Sequence, residues 1–261
     1  MAQDAPTEAP LPNVPGYCIE RMLGRGGFAS VFSATDAGGQ RLALKVATPG
    51  DETASAQLVR EERALRAIGP AVAAAVYASG RLPDGTAWLA LELLQPPTLA
   101  ERLQEVAGPM ELGEVRERAA ALCAAVGAVH AAAYLHLDLK PANVFLSGQG
   151  VRLIDFGLAR AFKERQERAA FAGTAEYASP EQCEERSDLD PRADLYAIGV
   201  LVFEMLTGRP PFTGDAQTVR EAQIGLRPPR PSQLAALPAA VDEAVLRALA
   251  KDRRRRFPSA P

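Results

Sequence analysis

The feature that most restricts what this chain can fold into is a change of apolar spacing at Pro96–Pro97. Ahead of it the apolar residues fall in short strand-like runs at 42–46, 76–80 and 87–92, bounded by turn residues such as Gly38–Gly39 and Pro83-Asp84-Gly85. One stretch differs: over 54–68, Leu58, Leu65 and Ile68 are interleaved with Arg60, Glu61, Glu62, Arg63 and Arg66, the pattern of an amphipathic helix. Beyond the prolines the spacing predicts helices at 99–106, 112–133, 195–207, 218–224 and 241–250. A β-rich part followed by a larger helical part predicts an α+β chain in two lobes, with the cleft of such a fold as the expected ligand site.

Composition removes several function classes. With 261 residues the chain is long enough to bury a sizeable core. Its 29 Lys and Arg against 32 Asp and Glu leave a net charge of −3, so a wholesale basic nucleic-acid binder is not expected. Cys18, Cys123 and Cys183 are too few and too scattered for a disulfide framework or a two-plus-two cysteine metal site, and they fit a reducing cytoplasm. Residues 119–137 lack Asp, Glu, Lys and Arg, yet they are mostly alanine and include His130 and His136. That stretch is expected to be a buried helix, so no membrane segment is expected within this chain. Residues 1–15 contain Pro6, Pro10, Pro12 and Pro15 with Asp4 and Glu8, lack the signature of a signal peptide, and read as a disordered leader.

Three places carry chemistry. Gly24-Arg25-Gly26-Gly27 joins two strand-like runs, where glycines let backbone N–H groups approach phosphate oxygens; a plain glycine-rich hairpin is the alternative. A strand follows the glycines where a Rossmann motif needs a helix, and no Lys-Ser/Thr pair closes the loop as in a Walker motif. Lys45 lies on the apolar run Ala43-Leu44-Lys45, where a buried cation needs a partner, and Glu61 on the following helix is positioned to supply it. The alternative is a snorkelling Lys45 with Glu61 in a solvated charge run. Most informative is His136-Leu137-Asp138-Leu139-Lys140-Pro141-Ala142-Asn143 with Asp155-Phe156-Gly157 further on. These two loops offer a proton acceptor, a cation and oxygen ligands for Mg²⁺, the groups that phosphoryl transfer requires.

With those residues the chain resembles the eukaryotic-type, or Hanks-type, serine/threonine protein kinase family, in its bacterial branch, from about Tyr17 to Phe257. Gly173-Thr174-Ala175-Glu176-Tyr177-Ala178-Ser179-Pro180-Glu181 is similar to the family's substrate loop and its anchor, and Arg256 stands where the family places the partner of Glu181. The resemblance implies the two-lobed kinase fold, with an N-lobe at 16–91, a hinge at 92–95 and a C-lobe at 96–261 that stops within the family's last helix. A regulatory region beyond Pro261 would follow in a longer parent protein. It implies ATP and Mg²⁺ as cofactors and a protein substrate. Gly24 and Gly26 would cover the phosphates, Lys45 hold them and Glu61 orient Lys45. Asp138 would be the catalytic base, Lys140 would steady the γ-phosphate, and Asn143 and Asp155 would bind metal. Leu23, Val31, Ala43, Leu91 and Phe145 would surround adenine, with the Glu92 carbonyl and the Leu94 amide facing it. Leu65, Val76, His136 and Phe156 would stack on Asp194, which makes His136 a packing residue.

The chain departs from the family pattern in four places. Ala29 replaces a loop glycine, Ser179 replaces the anchor alanine without expected consequence, and Phe145 replaces a smaller aliphatic residue. Leu137 replaces the arginine that reads an activation-loop phosphate, and residues 158–172 contain no Ser, Thr or Tyr. Lys163, Glu164, Arg165, Glu167 and Arg168 would order that loop by local ion pairs, while the Thr174 hydroxyl would bond to Asp138 or Lys140. The arginines at 253–256 read as a solvated face, Arg256 apart. Two rival readings stand beside phosphotransfer to protein. A pseudokinase scaffold would have no need of Lys45, Glu61, Asp138, Asn143 and Asp155 together, and a small-molecule kinase of related fold would have no need of the loop at 173–181.

Overall fold

The computed structural model describes residues 11–95, 97–148, 150–162 and 171–260. The loop charges from Lys163 to Arg168 lie outside them, as does most of the leader. Val14, at the leader's end, is not free: it is 1% exposed within an apolar core. The chain forms two compact units, one within Met1–Glu62 and Ala75–Leu93 and the other within Arg63–Ala74 and Leu94–Pro261.

The first unit is built on a five-stranded antiparallel sheet, β1 (Tyr17–Arg25), β2 (Ala29–Asp36), β3 (Arg41–Ala47), β4 (Val76–Arg81) and β5 (Ala87–Glu92), in the order β1-β2-β3-β5-β4. Strand periodicity divides its side chains cleanly. Phe32, Leu42, Leu44, Val46 and Ala90 share one face and form a core with Val14. The opposite face therefore takes Val31, Ala43, Lys45, Leu89 and Leu91, since Val31 pairs with Lys45 and Lys45 with Leu89, while Ala43 pairs with Leu91. The helix α1 (Glu52–Ile68) is tied to β5 by the Ser55 hydroxyl, which accepts from the Ala87 amide at 3.2 Å.

The second unit holds α2 (Leu99–Val106), α3 (Leu112–Ala131), α4 (Pro180–Cys183), α5 (Arg192–Thr207), α6 (Ala216–Gly225) and α7 (Ala239–Ala248). It also has two short antiparallel pairs, β6 (Tyr134–Leu135) with β9 (Arg160–Ala161) and β7 (Val144–Ser147) with β8 (Gly150–Leu153). The expectation of one helix across 119–137 needs correction. The helix ends at Ala131, Ala133 adopts φ 64°, and Tyr134–Leu135 turns into a strand whose backbone pairs with Arg160–Ala161. The core helix α5 has most of its side chains buried, and its Gly199 permits close packing: a Cβ there would stand 2.8 Å from the Cβ of Ala248 on α7. Among the described residues no helix is long and apolar enough to cross a membrane.

Candidate active site

In the first unit, β3 and α1 bring Lys45 and Glu61 together. The Lys45 ammonium donates to both Glu61 carboxylate oxygens at 2.8 Å, with the side chains only 12% and 3% exposed. Neighbouring Glu62 accepts from the Ser79 hydroxyl at 2.6 Å. Val31, Ala43 and Leu91 share the sheet face of Lys45. Leu23 and Gly24 lie on exposed β1, and Gly26 donates its amide to the Ala29 carbonyl at 2.8 Å across the turn. Among the described residues, chain neighbours apart, no atom lies within 4 Å of where a Cβ at Gly24 or Gly27 would stand, so close packing does not explain these glycines. Glu92 ends β5 with its carboxylate accepting from the Ala75 amide at 3.2 Å, and Leu94, half-buried, begins the second stretch of the second unit.

In the second unit the loop after β6 is shaped by a buried carboxylate on α5. Asp194 accepts from the amides of His136 at 2.9 Å and Leu137 at 2.8 Å, and bonds His130 Nε2 at 2.8 Å. Burial opposes its ionisation, but the hydrogen bond and charge of His130, with further help from His136, hold its carboxyl below the usual range. This clamp fixes Leu137 at φ 65°, a left-handed backbone that a leucine adopts only under constraint. His136 is wholly buried and packs on Phe156, ring centroids 4.5 Å apart. Its Nδ1 accepts from the Asp138 amide and its Nε2 faces the Ile154 carbonyl, so both nitrogens are committed to a neutral ring. Burial, which pushes its pKa down, agrees.

The clamp presents Asp138. Its Oδ2 accepts from Lys140 Nζ at 2.7 Å and from the Asn143 amide at 3.1 Å, while Oδ1 accepts no hydrogen bond among the described residues. Asn143 spends both amide hydrogens on Asp138, on Oδ2 and on the backbone oxygen at 2.8 Å. Its own side-chain oxygen is thereby the end left for a ligand. Asp155 adopts φ 61° just before the short turn Phe156–Leu158. An amide oxygen and a carboxylate are the donors that a hard cation such as Mg²⁺ takes, so the residues fit that metal. Phe145 is half-buried on β7 opposite Arg152.

The loop at 173–181 starts beside the same carboxylate. Gly173 has φ 121°, and a Cβ there would stand 3.5 Å from Asp138 Oδ1. Thr174 does not bond as expected: among the described residues its hydroxyl reaches neither Asp138 nor Lys140, and Lys140 is instead engaged by Asp138 directly. Ser179 proves useful, for it caps α4 in a reciprocal box with Gln182. Gln182 in turn donates to the Leu137 carbonyl at 2.8 Å, joining the two loops. The Ser-x-x-Gln spacing carried that signal in the sequence. Glu181 and Arg256 form a buried bidentate pair at 2.6 and 2.8 Å, and the remaining guanidinium donors reach the carbonyls of Ala250, Arg192 and Lys251. Elsewhere in the arginine run, Arg253 pairs with Asp188 and Asp190, while Arg254 and Arg255 are exposed.

The second unit thus holds a carboxylate flanked by an ammonium and an amide, with a second carboxylate nearby in sequence, and the first unit holds a buried lysine–glutamate pair. The model of the protein kinase domain matches residues 17–257, and the chain belongs to that family. Its relatives include the serine/threonine-protein kinase PknL of Mycobacterium tuberculosis, 35% identical over 254 residues. Another is the serine/threonine-protein kinase PknB of the same species, 34% identical over 262 residues. Both matches cover 94% of this chain, which spans 63% of the first relative and 41% of the second.

Proposed function

We propose that this chain is a serine/threonine protein kinase that transfers the γ-phosphoryl group of ATP to hydroxyls of a protein substrate. The observation that carries the reading is Asp138, whose Oδ2 is held by Lys140 and Asn143 while Oδ1 is left to receive a proton. Asp138 takes the proton of the acceptor hydroxyl as its oxygen attacks, and Lys140 stands beside it to offset the negative charge of the moving group. Lys45, oriented by Glu61, offers its ammonium to the α- and β-phosphates, under a turn whose Gly24 and Gly26 admit close approach. Asn143 and Asp155 would hold Mg²⁺, which when bound neutralises charge on the phosphate oxygens. Leu23, Val31, Ala43, Leu91 and Phe145 are the apolar surfaces proposed for adenine, with the Glu92 carbonyl and Leu94 amide as its hydrogen-bond partners. The named activities of the relatives support the protein substrate, and three free thiols suit the reducing cytoplasm that we propose as the compartment.

The test is Asp138→Asn, assayed with radiolabelled ATP and myelin basic protein as acceptor. A positioned base contributes roughly 10²–10⁴-fold, so transfer is expected to fall by that factor while nucleotide affinity is kept. Equal transfer by the two proteins, or none by the wild type, overturns the reading.

A further inference from the structure

Gln223, near the end of α6, is wholly buried, yet it belongs to none of the groups described so far. Its amide nitrogen donates to two consecutive carbonyls of the loop at 173–181, Ala175 at 3.2 Å and Glu176 at 2.6 Å. Its amide oxygen accepts from the hydroxyl of Tyr196 on α5, which is also wholly buried. The Tyr196 oxygen receives a hydrogen bond from Lys251 Nζ at 3.1 Å, and the same ammonium donates to the Ala222 and Gln223 carbonyls at 3.2 and 2.7 Å.

These contacts have a direction. A charged lysine can only donate, so Tyr196 must accept from it and send its own hydrogen onward. That hydrogen goes to the Gln223 oxygen, which leaves the nitrogen of the amide facing the loop. Lys251 and the two loop carbonyls, which can only accept, thus require the same orientation of the Gln223 amide, and the amide ties the loop backbone to α5 and the residues after α7. Arg220, one turn earlier on α6, grips the start of the same segment. Its guanidinium lies 4.6 Å from the Phe171 ring centre and donates to Glu185 at 3.2 Å, which accepts from the Phe171 amide at 3.2 Å.

We propose that Gln223 is a positioning residue for the protein substrate, setting the backbone of the loop at 173–181 through an amide whose orientation is fixed by Tyr196 and Lys251. The inference rests on the kinase reading above, because that reading makes this loop the peptide-docking segment. It touches no reacting atom, so its effect belongs to the acceptor side of the reaction and not to the nucleotide.

The variants are Gln223→Met, which keeps the length and removes the amide, and Tyr196→Phe, which keeps the ring and removes the hydroxyl. For Gln223→Met the KM for myelin basic protein is expected to rise by about tenfold, the scale of losing a net hydrogen bond, with the ADP dissociation constant unchanged. Tyr196→Phe should move the same constant in the same direction. Hydrogen exchange, read by mass spectrometry, should accelerate in peptides covering 173–181 and not in those covering β1 to β3. A KM within twofold of wild type in both variants, or equal losses in acceptor and nucleotide binding, overturns the proposal. So does unaltered exchange in the loop of folded Gln223→Met. A wild type that binds ADP but labels no acceptor fails at the kinase reading itself, and the exchange experiment then still decides whether Gln223 holds the loop.

Discussion

Lys45 and Glu61 are 12% and 3% exposed, so water is a poor replacement for either partner. Their geometry makes them one functional group: the carboxylate grips the ammonium through both oxygens and fixes where it points. Glu61→Ala should free Lys45 to turn away, and Lys45→Ala removes the cation outright. Each is expected to lower kcat/KM on the order of 10²-fold, the cost of a misplaced group, and the double variant to lose little more. Steady-state kinetics on the four proteins gives the answer, and losses that multiply would show that the two act separately. A lysine on an apolar strand and a glutamate on the next helix made the pairing one of two readings, and the buried contact excludes the other, a snorkelling Lys45 beside a solvated Glu61. For His136 the resemblance already implies packing, and the structure adds what the sequence does not show, the contact that each ring nitrogen makes.

At the scale of elements, the end of α6 meets the residues after α7 through Lys251. Its ammonium caps carbonyls of α6 and lies 4.6 Å from the Phe212 ring centre, and burial pushes its pKa from 10.5 down to about 8. The charges that act on it are Cys183, which favours the proton, and Arg256, which opposes it. Because the unfolded chain binds more protons between about 8 and 10.5, this group's contribution to stability improves as pH rises through that window and is flat below it. Urea unfolding of wild type and Lys251→Met across the window should show the difference growing in favour of wild type with pH; a constant difference would contradict the shift. The sequence revealed the elements unevenly, and the reason is length. Strands β1 to β5 and helices α1 to α3 hold enough residues for a period to show. The two-residue strands β6 and β9 and the four-residue α4 do not, being defined by partners distant in the chain. The start of α6 lies ahead of the predicted 218–224, because Asp215 caps Gln217 and Thr218 and begins the helix before its first buried apolar residue, Val219.

For the molecule as a whole, the question is what holds the segment around Asp138 in place without a phosphate. In the family pattern an arginine before the base reads one, but here Leu137 is 8% exposed in an apolar cluster with Leu135 and Ala193, against which Leu158 and Leu189 pack. The residues flanking 163–170 are tied as well. On one side β9 pairs with β6 and the Phe162 amide donates to the Ala133 carbonyl at 2.9 Å; on the other Phe171 is held by Glu185 and Arg220. Residues 158–172 offer no hydroxyl to modify, and Leu137 offers no charge to read a phosphate. Apolar burial near Asp138 and the backbone pairing of β9 therefore hold the described residues ahead of 163–170 without a phosphate, and activity should not await a modification. Protein co-expressed with a broad phosphatase, and shown by mass spectrometry to carry no phosphate, is expected to transfer to myelin basic protein from the first time point. Leu137→Arg should then lose activity, since it would place a guanidinium within that cluster where no phosphate meets it. A lag that shortens as phosphate accumulates anywhere within 157–181 would mean that the loop is ordered by modification after all, with the leucine cluster only a consequence.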